Sequence, residues 1–186
     1  MDALELLLGR ESALKLQEPG PGDEALDVIF RSALRAPDHG RLRPWRFVVI
    51  PHEKRERFGV LMAESLRLRQ PDTTPEMLDR ERQKALRAPV IVVVVGRFKP
   101  SDKIPAVEQL ISAGAAAQNI MLAAHAQGYG AMWRTGEAAY DASIKRALGL
   151  ELADAIIGFI YIGTRVGGSS PLARPVPEDF VEIWKG

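Results

Sequence analysis

The sequence predicts a β-sheet enclosed between layers of helix in one domain, and three observations carry that prediction. Val90 to Val95 is an unbroken apolar run, whereas a strand wetted on one face would alternate apolar with polar side chains. Only three other segments read as strands, Arg46 to Ile50, Tyr129 to Arg134 and Ile156 to Ile162, and helical segments outnumber them. Finally, 186 residues with 46% hydrophobic content supply one core. No repeat, low-complexity tract or shift of composition divides the chain, so residues 1–186 read as a single domain.

The elements follow in order. Ala3 to Leu8 forms a short amphipathic helix, and Glu24 to Arg35 a second. In Glu53 to Arg69, Phe58, Leu61, Met62 and Ser65 recur at helical spacing and place one stripe on a core; the charged run at 52–59 is then the wet side. Pro75 to Arg87 is the next helix. Val107 to Gln127 differs, because small residues including Ala113, Gly114, Ala116 and Ala124 occupy almost every face. A helix apolar nearly all round is buried, and in so short a chain its last face calls for a partner subunit. Gly128 ends it, and Asp141 to Leu148 is the last helix. The connector at 167–178, rich in Gly, Ser and Pro, leads to Phe180–Trp184, read as a final strand or as an arm that folds back or reaches another subunit.

Charge and composition exclude several functions. With 25 basic and 24 acidic residues the net charge is +1, which gives no global reason to bind nucleic acid or an anionic membrane. The start shows no secretory signal. The most apolar long window, Leu110 to Ala126, is interrupted by Ser112, Gln118, Asn119 and His125, so a soluble, cytoplasmic protein is expected. The absence of cysteine removes disulfides, thiolate nucleophiles and thiolate metal sites. Three histidines without HxH or HExxH spacing leave no expected metal site. GxSxG, GxGxxG and GxxxxGK are all absent. GYGAMW at 128–133 runs from helix to strand, the wrong polarity for cradling a pyrophosphate at a helix start.

Three polar segments remain: Arg10-Glu11-Ser12, the stretch from Arg35 through His39 and Arg43 to Trp45, and Trp133-Arg134-Thr135-Gly136. Read plainly, they are a helix end with its cap, a helix-end cation, a loop histidine and two core tryptophans, with His125 structural. Read chemically, an arginine and a hydroxyl bind a phosphoryl group, and a loop fixed by Pro37 and Gly40 meets a planar ligand. A phosphate site and a polar loop together are the layout of a flavin mononucleotide (FMN) site.

In order and spacing these segments, with Pro44-Trp45-x-Phe47, the Ala-rich helix through Gly128 and Gly163-Thr164, resemble the nitroreductase-like flavoprotein family over nearly the whole chain. The resemblance implies an α+β sandwich with a mixed, mainly antiparallel sheet, assembled as an intertwined homodimer with two interface FMN sites. It further implies that Arg10 and Ser12 hold the ribityl phosphate and that Glu11 contributes chiefly backbone. Arg35 and His39 would reach the flavin of the neighbouring subunit, and Trp133, Arg134 and Thr135 would form a third contact. The 167–186 arm would pack on the partner. Many relatives carry a second arginine where Glu11 stands, and others a glutamine where Arg43 stands.

The activity so implied is hydride transfer from NADH or NADPH, by way of FMN, to a nitroaromatic or quinone. An alternative is an FMN-binding or flavin-storage homodimer with little such activity. A noncatalytic dimer or a DNA-binding module, motivated by the basic RLRPWR stretch, is disfavoured by the balanced charge.

Overall fold

The computed structural model describes residues 1–168 and 174–186. Its helices are α1 (Ala3–Gly9), α2 (Asp23–Ala33), α3 (Arg55–Arg69), α4 (Pro75–Gln83), α5 (Ala106–Ala126) and α6 (Ala142–Ala147). The strands are β1 (Leu16–Gln17), β2 (Trp45–Ile50), β3 (Val90–Gly96), β4 (Gly130–Arg134) and β5 (Ala155–Arg165). Local chemistry sets many of the boundaries. The Asp2 carboxylate caps α1 in a reciprocal box with Glu5, and Thr74 caps α4 with Pro75 at its first position.

β5 is the organising strand, pairing antiparallel with β3, β4 and β1, while β2 pairs antiparallel with the other edge of β3. The expected α+β sandwich with a mainly antiparallel sheet is what the chain forms, and all four ladders among the described residues are antiparallel. β3 alternates between two cores. Val90, Val92 and Val94 pack with Ile29, Ala116, Ala117 and Ile120 of α2 and α5. Ile91, Val93 and Val95 pack with Phe58, Met62 and Ile144 of α3 and α6. Every residue of β3 is buried, and each such valine contributes about 1.5–3 kcal/mol relative to exposure. The unbroken apolar run is therefore the signature of helices on both faces.

A bulge interrupts the β3–β5 ladder. Val94 faces Gly158 and Val95 faces Ile156, leaving Ile157 unpaired. The carbonyl of Ile157 accepts the indole N–H of Trp133 at 3.2 Å. A Cβ on Gly158 would stand 2.1 Å from that indole nitrogen, so glycine is required where the ring crosses the strand.

Several expectations need correction. The helix expected over Pro75 to Arg87 stops at Gln83 and continues as a 3₁₀ turn, Lys84–Leu86. The helix expected from Glu53 begins at Arg55, after a 3₁₀ turn. β1 is two residues long, too short for periodicity to reveal. Phe180–Trp184 is not a strand: residues 181–186 have no regular structure, lie exposed and pair with none of the described strands. The connector expected at 167–178 lies partly outside the described residues. Nor is Arg55 on the wet side, since its guanidinium donates to the Ala88 carbonyl at 2.6 Å and is only 13% exposed. Among the described residues no helix is long and apolar enough to cross a membrane.

Candidate active site

The first polar segment begins where α1 ends. The Arg10 backbone N–H closes the helix on the Leu6 carbonyl, then the chain turns extended and Ala13 N–H donates to the Ala131 carbonyl of β4 at 2.9 Å. Arg10 to Ser12 are thereby laid beside the start of β4. Arg10 is half-buried, and its Nη1 is buried without a hydrogen-bond partner. A buried charged donor left without an acceptor carries a desolvation penalty, which an anion would remove. The Glu11 carboxylate is not that anion, since it forms an ion pair with Arg165 of β5. Ser12 is exposed.

The third segment lies at the other end of β4. Trp133 packs against the α2/α5 core, and its indole N–H is satisfied by Ile157. Arg134 and the exposed Thr135 line a cavity of about 350 Å³ together with Trp133, Arg87 and Tyr161. Arg134 and Arg87 also line an adjoining cavity of about 580 Å³, whose other wall is Leu14 to Gln17, the continuation of the Arg10 segment. Cavities of this size fit a cofactor-sized ligand. Burial pushes the Tyr161 hydroxyl up to about 12, although Arg87 and Arg134 pull it the other way. The phenol therefore stays neutral beside two cations.

The second segment stands apart within the chain. Arg35 lines a separate cavity of about 390 Å³ between α1, α2 and α5, and His39 Nδ1 lies 2.6 Å from Glu108 Oε2 on α5. The structure thus sets the segment after Arg10 against the start of β4 and Trp133–Thr135 at its end, while Arg35 and His39 line neither of the two cavities beside Arg134. Arg87 was missed from sequence, because a cation after a helix carries no motif; only the fold turns it toward Arg134. Trp45 is half-buried and packs on the core, and His125 on α5 is also half-buried.

A second arginine cluster lies near the end of α3. Arg69 Nη1 donates to Asp141 Oδ2 at 2.5 Å and to the Ser65 hydroxyl, while Arg69 Nε stands 3.6 Å from Glu137. Burial raises the Asp141 carboxyl, but hydrogen bonds from Ser143, Arg69 and the Ile144 N–H outweigh it and hold the group well below the usual carboxylate range.

The fold is an α+β sandwich, and residues 7–164 match the Nitroreductase family; the chain belongs to it. It is 40% identical over 185 residues to "Putative NAD(P)H nitroreductase YdjA" of Escherichia coli K12, covering 99% of this chain and 100% of that protein. A relative from Haemophilus influenzae, "Putative NAD(P)H nitroreductase", is 36% identical over 97% of this chain and 98% of its own length. Among solved structures, a "putative nitroreductase" from Desulfovibrio desulfuricans in complex with FMN superposes with a TM-score of 0.76 at 26% identity, covering 98% of each chain. A nitroreductase-like family protein from Bacillus cereus shares the fold with a TM-score of 0.81 at 23% identity, covering 100% of this chain and 97% of that one.

Proposed function

We propose that the chain is an NAD(P)H-dependent oxidoreductase with bound FMN, acting on small organic acceptors such as nitroaromatics or quinones. The observation that carries this reading is the buried Arg10 Nη1 without an acceptor, in a chain whose relatives include an FMN complex. Bound FMN would supply the hydride and electron chemistry that a chain without cysteine cannot perform with its own sulfur.

The residues present fit such a group. Arg10, with the Ser12 hydroxyl two residues on, is a donor set for the ribityl phosphate. Ion pairing with Arg165 cancels the Glu11 charge that would otherwise oppose a phosphate there. Arg134 and Arg87 hold positive potential in the adjoining cavities, where negative charge on a reduced ring would be stabilised. Thr135 offers a hydroxyl at the rim. Trp133 contributes a wall rather than a donor, its N–H being spent on Ile157.

Arg35 and His39 enter this reading as contributions to the flavin site of a second subunit. Support comes from apolar side chains on the same helices: Leu4, Leu7 and Leu8 of α1, Val28 of α2 and Ile111 of α5 are all exposed in the single chain. An apolar surface of this kind is what a partner subunit would cover. The C-terminal arm has the same character, with Phe180, Ile183 and Trp184 exposed at 75%, 83% and 90%. In a homodimer the arm covers apolar surface of the partner.

The test is an absorbance spectrum of purified protein followed anaerobically through addition of NADH and then NADPH. Flavin bands that bleach on addition support the reading. A colourless protein that takes up no added FMN would overturn it, and bound flavin that neither nucleotide bleaches would favour a storage role.

A further inference from the structure

The loop after α2 holds an unusual backbone. Gly40, Arg41 and Arg43 have φ of 68°, 54° and 51°, a left-handed region that non-glycine residues rarely enter. Arg43 also precedes Pro44, where an extended backbone is preferred. The Asp38 carboxylate maintains this shape, its two oxygens accepting the N–H groups of Leu42 at 3.1 Å and Arg43 at 2.8 Å. Gly40 presses on buried Ile104, so closely that a Cβ would lie 2.4 Å from that side chain.

Gly40 is demanded by contact, but nothing in the packing demands arginine at 41 or 43. Both side chains are exposed, and neither guanidinium has an ion-pair or hydrogen-bond partner among the described residues. Glycine or asparagine would occupy these conformations with less strain. Strained non-glycine residues held in place by their surroundings gather at functional sites. From 35 to 46 the chain carries four arginines against one aspartate, and that aspartate is engaged by backbone.

We infer that Arg41 and Arg43 form an anion clamp for the phosphate-bearing reductant, a reduced nicotinamide dinucleotide. The inference rests on the oxidoreductase reading above and names two residues for its donor. Guanidinium forks match phosphate oxygens in pairs, and the dinucleotide bridges its two nucleosides with two charged phosphates. Neutral acceptors such as quinones give two exposed arginines no task. The clamp adjoins His39, which the reading above assigns to the flavin site of the second subunit.

The experiment uses FMN-loaded protein and measures NADP⁺ affinity by calorimetry at several salt concentrations, for wild type, Arg41→Gly, Arg43→Gly and Arg43→Lys. Each glycine variant is expected to melt higher, because strain is relieved, yet bind NADP⁺ about tenfold more weakly and with a shallower salt dependence. Arg43→Lys keeps the charge but loses the paired fork, and is expected to fall between wild type and Arg43→Gly in affinity. Nicotinamide riboside, which lacks phosphate, is expected to bind all four proteins alike. Unchanged NADP⁺ affinity in the glycine variants overturns the clamp, as does an equal loss for the riboside. If instead only the Michaelis constant for an anionic acceptor, nitrobenzoate, rises while nucleotide affinity stays intact, the charge serves the acceptor and the clamp is again overturned. Flavin absorbance recorded for each sample separates these outcomes from failure of the FMN reading, which would leave wild type itself colourless.

Discussion

Arg10 and Arg69 are both partly buried arginines, and each has one buried nitrogen without a hydrogen-bond partner. Their surroundings differ. Arg69 sits among Asp141, Ser65 and Glu137, so its charge is answered inside the chain. Beside Arg10 the nearest carboxylate in sequence, Glu11, is paired with Arg165, and the cavity beyond the following residues carries two more cations, Arg87 and Arg134. Removing charge from a satisfied cluster costs folding stability; removing it from an incomplete one costs a ligand.

That contrast is open to test, beginning with the largest expected effect. Arg10→Ala should weaken FMN binding by about 2–3 kcal/mol, a loss of one charge-assisted contact or more, without lowering the melting temperature of the FMN-free protein. Fluorescence titration of FMN measures the affinity, and a variant whose FMN-free form melts lower while its FMN affinity is unchanged would break the comparison. Asp141→Asn should do the reverse, lowering stability in urea by about 2 kcal/mol through loss of an ion pair and weakening of the α6 cap, with FMN affinity unchanged.

The pH dependence of that second effect sharpens it. Asp141 is depressed in the folded protein, so its contribution is present above the ordinary carboxylate value of about 4 and is lost as pH falls below it. Stability curves of wild type and Asp141→Asn should converge in acid; a constant gap would show that the carboxylate's charge is not what matters. The smallest effect is expected at Arg87, which is exposed. Arg87→Gln should weaken FMN by no more than about 1 kcal/mol, and a larger loss would mean that Arg87 touches the cofactor directly.

Much of this fold was legible in the sequence. Val90–Val95 announced a doubly covered strand, and β2, β4 and β5 lie close to the segments expected from their apolar runs. Less local features were not. β1 is recognisable only by its partner on β5, and the Ile157 bulge only by the ladder it interrupts. Of the site, Arg10 and Arg134 could be singled out as arginines beside hydroxyls, but Trp133 carried two readings until its N–H was found on the Ile157 carbonyl. Arg87 had no local signal at all.

The sequence by itself determined the layering of the chain, the exclusion of sulfur chemistry and the family resemblance, because periodicity and composition are properties of neighbouring residues. Only the tertiary structure decided which charges are answered. Glu11 finds Arg165 from a strand far along the chain, Arg69 finds Asp141, and Arg10 retains a buried nitrogen without an acceptor. Electrostatic pairing depends on distance in space and on the loss of water, and neither can be read from spacing along the chain.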